Sequence, residues 1–158
     1  MTRQARVRRL QDTLGIVGVG VIAFGAWTLA KTILFLFLYN EGSIRQLYGL
    51  NDELPMEAFY IVFAVFSLFD MMVRLYVGLS ARAEGLGKRK GSAYLVVAAL
   101  MVALSVAGLV FMAFGGSSGS PSLFDLIMTV IIEVTSIATL VLMIFSAIRL
   151  RQLSGQAG

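Results

Sequence analysis

Four long apolar runs set the pattern of this chain, each closed on both sides by a short polar stretch. They are Leu14 to Tyr39, Phe59 to Leu79, Ala93 to Phe114 and Leu123 to Ile148. A helix needs roughly 20 apolar residues to cross a ~30 Å hydrocarbon layer, because each residue advances ~1.5 Å and no backbone polar group can stay unpaired in lipid. Each run meets that length. The linkers between them carry turn signals: Asn40 to Pro55 is polar and acidic, Ser80 to Ser92 holds glycines and charges, and Gly115 to Ser122 reads GGSSGSPS. The pattern predicts an all-α, polytopic integral membrane four-helix bundle, a single four-span domain with no room for a separate soluble domain.

Composition strengthens this reading. Of 158 residues, 58% are hydrophobic and 14% charged, and mean hydropathy is +0.86. A soluble domain carries about a quarter charged residues. Basic residues then set the orientation, since cytoplasmic flanks hold the excess of Lys and Arg. Arg3, Arg6, Arg8 and Arg9 precede the first run, Arg82, Lys88, Arg89 and Lys90 follow the second, and Arg149 and Arg151 follow the fourth. The other two linkers contain only Arg45. This alternation predicts both termini on the cytoplasmic side of a cell (inner or plasma) membrane. The first run exceeds a typical signal-peptide core of ~7–15 residues and is expected to be a retained anchor. The net charge of +4 is assigned to orientation and to a bilayer with anionic headgroups rather than to nucleic acid.

Inside the runs four ionisable residues stand out: Lys31, Asp70, Arg74 and Glu133. A charge near a bilayer centre costs ~2.5–3.5 kcal/mol on insertion scales, so such a residue faces the bundle interior or water and seeks a partner. The twelve Leu, Ile, Val and Phe residues of the second run favour insertion by at most ~4–7 kcal/mol, against ~5–7 kcal/mol for two unpaired charges. Pairing is therefore expected. Asp70 and Arg74 are one turn apart with the acid on the N-terminal side, the favourable order. Lys31 and Glu133 lie at similar depth, which predicts a bridge between the first and last spans. Two bases and two acids balance. That suits structural pairs which specify neighbouring helices, whereas conduction needs an acid free to load and unload.

Small residues mark where helix backbones can approach, since van der Waals contact drives helix association in lipid. Gly15, Gly18 and Gly25 follow helical spacing in the first run, and Ala99, Ala103 and Ala107 form a stripe in the third; both are expected to pack within the chain or against a further subunit. Thr129, Thr135, Ser136 and Thr139 surround Glu133 and mark a candidate polar path, although hydroxyls also bond to carbonyls of their own helix. Phe59, Phe63 and Phe66 lead towards Asp70 and are expected to face lipid or a partner. Tyr39, Tyr60, Tyr76 and Tyr94 sit near run ends, as interfacial aromatics do.

Catalytic readings find little support. The chain has no Cys and no His, hence no thiolate, no imidazole base and none of the usual ligands of a transition metal. The segment AEGLGKRKGS lacks the phosphate-cradling GxxxxGK[ST] spacing. No cofactor or metal is expected. A glycine-rich first span with Glu133 in the last is similar to the four-helix proteolipids of rotary ATPases, but the third and fourth spans hold only Gly108 and the acidic first linker is predicted outside, so no family follows. The sequence therefore predicts a non-enzymatic accessory, scaffold or assembly subunit that acts through helix contacts with copies of itself or another membrane protein. A small channel or ion-coupled transporter using the intramembrane charges is the alternative.

Overall fold

The computed structural model describes residues 3–48, 55–88, 91–114 and 123–155. The described residues form five helices: α1 (Arg3–Leu38), α2 (Glu41–Tyr48), α3 (Met56–Gly85), α4 (Ala93–Phe114) and α5 (Leu123–Gly155). Four of them, α1, α3, α4 and α5, are long and apolar enough to cross a membrane. They are longer than the apolar runs alone. At ~1.5 Å per residue, the 36 residues of α1 and the 33 of α5 reach about 54 and 50 Å, because good helix formers such as Arg, Gln and Leu continue the helix into polar sequence. The described part of the first linker also departs from a plain turn. Glu41–Tyr48 is the short amphipathic helix α2, which buries Ile44.

Buried positions recur at steps of three and four. On α1 these are Leu14, Gly18, Val21 and Gly25, with Thr32 two turns further on; on α5 they are Ser136, Leu140, Met143, Ala147 and Leu150, with Ser146 beside Ala147. A mean step near 3.5 keeps one narrow stripe of each helix facing its neighbours over many turns. α1 packs most extensively along α3 and next on α5, while α4 rests on α5 and, to a lesser extent, on α3. The apolar core is lopsided. It joins Leu14 and Val21, Val77 and Ala81, Tyr94, Ala98 and Met101, and Leu140, Met143 and Ala147, all near the end where α1 begins and α5 finishes. At the opposite end, α1 and α3 are held by a ladder of rings. Phe35 lies 5.7 Å from Phe63, which stacks on Phe59 at 5.7 Å. Phe59 and Phe63 therefore serve packing inside the chain, and of these three stripe residues Phe66, 69% exposed, is the one left open to lipid or a partner.

Backbone approach explains why α1 and α3 form the tightest pair. A Cβ built on Gly18 falls 2.7 Å from the carbonyl oxygen of Gly78, and one on Gly78 falls 2.6 Å from the carbonyl oxygen of Gly18. Gly85 comes as close to the backbone of Gln11 and Gly15. α3 then ends in a Schellman motif: Gly87 adopts φ +81, Lys88 N–H donates to Ala83 O at 3.0 Å and Gly87 N–H to Glu84 O at 3.0 Å. Within AEGLGKRKGS it is Gly87 that terminates the helix.

Candidate functional site

Three groups of polar side chains stand out on the long helices. The first crosses the middle of the bundle. Arg74, 7% exposed, donates from Nε to Asp70 Oδ2 at 2.8 Å and from Nη1 to Ser136 Oγ on α5 at 2.9 Å. Its path between α1 and α5 depends on a missing side chain, since a Cβ on Gly25 would lie 3.1 Å from Arg74 Cβ and Cδ and 2.9 Å from Met71 Sδ. About two turns before Arg74 on α3, Ser67 Oγ and Thr32 Oγ1 of α1 share a buried hydrogen bond of 2.9 Å. These contacts tie α3 to both α1 and α5. A buried guanidinium is tolerable only when paired and hydrogen-bonded, and Arg74 is both.

The second group closes the core at the ends of α3, α4 and α5. Arg151 grips Glu84 bidentately, Nε to Oε1 at 2.7 Å and Nη2 to Oε2 at 2.8 Å, the geometry that makes such pairs strong and directional. Tyr94 Oη donates to Glu84 Oε2 at 2.7 Å, and the Arg151 guanidinium carbon lies 5.8 Å from the Tyr94 ring centre. Arg151 also donates to Gly91 O at 3.2 Å. Tyr94 is 1% exposed. It belongs to the core, not to an interfacial belt. Sequence reasoning missed this cluster, because Glu84 lies in a polar linker and Arg151 looks like any orienting cation. The Schellman turn is the legible clue: it ends α3 one residue after Glu84 and folds α4 back beside it.

Glu133 forms the third group. It lies with Thr129 of α5 in an open groove of about 370 Å³ whose other wall is Leu104, Ser105, Gly108 and Leu109 of α4. A Cβ on Gly108 would meet nothing within 4 Å, so the groove is roomy on that side. Two ion pairs occur among the described residues, Arg74 with Asp70 and Arg151 with Glu84. The expected bridge between Lys31 and Glu133 is not one of them. The reason is rotational: Lys31 precedes Thr32, which faces α3, and one residue turns a helix by ~100°. Lys31 is exposed on the outside of α1, while Glu133 opens towards α4.

The remaining expected residues separate in the same way. Gly18 and Gly25 lie in the α1–α3 seam, whereas Gly15 sits at its edge, with open space at its own Cβ position and Gly85 against its backbone. Ala99, Ala103 and Ala107 are exposed, so packing within the chain does not use the stripe. Core-facing Tyr94, Ala98 and Met101 occupy the adjacent face of α4. The hydroxyls around Glu133 do not converge on a path. Thr135 and Thr139 donate back to Ile131 O and Thr135 O at 2.7 and 2.8 Å, and Ser136 is held by Arg74.

Comparison of the chain with protein-family models, with curated proteins and with solved structures returns no match. The fold and the three polar groups define the class: an all-helical protein with four helices of membrane-spanning length, consistent with a multi-pass membrane protein.

Proposed function

We propose that the chain is a multi-pass protein of the cell (inner or plasma) membrane with both termini cytoplasmic. It works there as a non-enzymatic accessory, scaffold or assembly subunit through helix–helix contacts. One observation carries the reading. The chain uses glycines for close approach inside the bundle and leaves the alanine stripe of α4 uncovered. Small residues in lipid favour close helix contact, and Ala99, Ala103 and Ala107 lie on the exposed surface beside Leu100, Leu104 and Val106, also exposed. Consistent with this, the most buried intramembrane charge, Arg74, is engaged by Asp70 and Ser136 and is unavailable for a transport cycle. The partner is another membrane protein or a second copy.

Because the chain has no cysteine, a single cysteine can be placed without background. Ala103→Cys is expected to cross-link, in native membranes, either to a second copy through a disulfide formed with an added oxidant or through a short bis-maleimide, or to another membrane protein through a maleimide that carries a photoreactive group. Cysteine at exposed Ile61 or Val65 of α3 is expected not to. Equal cross-linking at all three positions, or at none, contradicts a contact centred on α4.

Glu133 supports the second reading, a small channel or ion-coupled transporter. Unlike Asp70, it has no ion pair among the described residues, and it faces a groove. An unpaired intramembrane carboxyl is a default candidate for ion or proton handling. Flux through reconstituted protein separates the two readings.

A further inference from the structure

Arg149 and Arg151 are two residues apart on α5, yet the fold treats them differently. Arg151 is bound to Glu84, while Arg149 turns to the other side and lines a pocket of about 630 Å³ with Arg6 and Arg9 of α1. No ion pair occupies these three guanidiniums among the described residues, and all three are exposed. The nearest acid in the sequence, Asp12, lines a different groove together with Arg82. Leu10 and Leu153 supply apolar wall to the pocket, and Thr13 a hydroxyl oxygen; that hydroxyl donates to Arg9 O at 2.8 Å and keeps its lone pairs for a donor.

We infer that this pocket is a binding site for the phosphate group of an anionic phospholipid, seated between the start of α1 and the end of α5. Three arginines from two helices line one pocket, each able to offer a bidentate fork to phosphate oxygens, and their charge has no counter-ion among the described residues. The depth selects a lipid over a soluble anion. Arg149 follows directly on the last apolar run and Arg9 lies five residues before Leu14, about 7.5 Å along α1, which is the level of headgroups. Basic pockets between helices on the cytoplasmic side suit such headgroups, and Leu10 and Leu153 offer a surface for the adjoining glycerol and acyl carbons. The inference rests on the proposed membrane insertion.

The test uses the full chain, delipidated in detergent and placed in phosphatidylcholine vesicles in which about one lipid in ten is phosphatidylglycerol, the probe lipid, so that site binding exceeds bulk contact. Phosphatidylglycerol retained on re-extraction is counted by native mass spectrometry. Wild type is expected to retain it, and the variant Arg6→Gln/Arg9→Gln/Arg149→Gln to lose it by about tenfold or more. The control Arg8→Gln/Arg82→Gln/Lys88→Gln removes the same charge away from the pocket and is expected to change retention by less than about twofold. Equal loss in both variants, or no retention by wild type, overturns the site. Displacement by millimolar inorganic phosphate makes it a site for free phosphate and overturns the lipid assignment. Flotation with pure phosphatidylcholine vesicles after alkaline wash is scored in parallel. Failure to float contradicts membrane insertion itself, whereas insertion without retained phosphatidylglycerol contradicts only this site.

Discussion

Gly18 of α1 and Gly78 of α3 face each other so closely that a methyl group on either would lie 2.7 or 2.6 Å from the carbonyl oxygen of the other. The obstacle on each side is backbone, which cannot rotate away. Gly18→Ala and Gly78→Ala are each expected to destabilise the protein by about 1–3 kcal/mol, the usual range for overpacking. Gly108→Ala places its methyl in open space and is expected to be neutral or to stabilise by up to ~1 kcal/mol, since alanine is the better helix former. Thermal midpoints of purified variants in one detergent check the contrast. Equal effects at Gly18 and Gly108 would contradict the seam.

The group around Arg74 makes a different prediction. Asp70→Asn leaves a buried guanidinium without its counter-charge and is expected to cost about 3–5 kcal/mol. Asp70→Leu together with Arg74→Met removes both charges and is expected to recover most of that loss, because apolar replacements of a buried pair are often neutral or better. Ser136, freed from Arg74, can return its hydroxyl to a carbonyl of its own helix. A double-mutant cycle on stability reads the coupling. Additive losses at the two positions would contradict a mutual pair.

The lock of Glu84, Tyr94 and Arg151 at the core end of the bundle depends on geometry as well as charge. Arg151→Lys keeps the charge but gives up the two parallel hydrogen bonds to Glu84, and Arg151→Leu gives up both. Losses of about 1 and 2–3 kcal/mol are expected in that order, with about 1 kcal/mol for Tyr94→Phe. Proteolysis rates after Lys88 report the same ranking, because the lock holds the turn between α3 and α4. A lysine variant as unstable as the leucine variant would mean that bidentate contact alone matters.

Orientation is tested by single cysteines on the cysteine-free background. Lys88→Cys is expected to react with a membrane-impermeant maleimide only after permeabilisation of intact cells, and Ser118→Cys, in the third linker, before it. The reversed pattern would invert the topology.

Much of this architecture is legible in the pattern of residues, and the omissions have physical causes. Run length and hydropathy give the number of long helices, since both depend on local sequence. The run of Asp70 and Arg74 at i, i+4 is also local, so their pair can be read directly. Lys31 and Glu133 invite a bridge by depth and charge, but contact also requires rotation about each helix axis, which is set by the glycine seam of α1 with α3. Gly78 and Gly85 belong to that seam and are hidden by the phenylalanines that dominate the second run. Glu84, Tyr94 and Arg151 lie 10 and 57 residues apart in sequence and meet only because a turn and a bundle bring them together; nothing local distinguishes Arg151 from Arg149.

The central claim, that the protein works by helix contact and not by conduction, is tested most directly by proton and cation flux in proteoliposomes. Wild type and Glu133→Gln are reconstituted at equal density, checked for equal folding, and compared with empty liposomes. The account predicts no flux above the empty control for either protein. Flux carried by wild type and lost in an equally well-folded Glu133→Gln variant would contradict it and make the α4–α5 groove a conduction path.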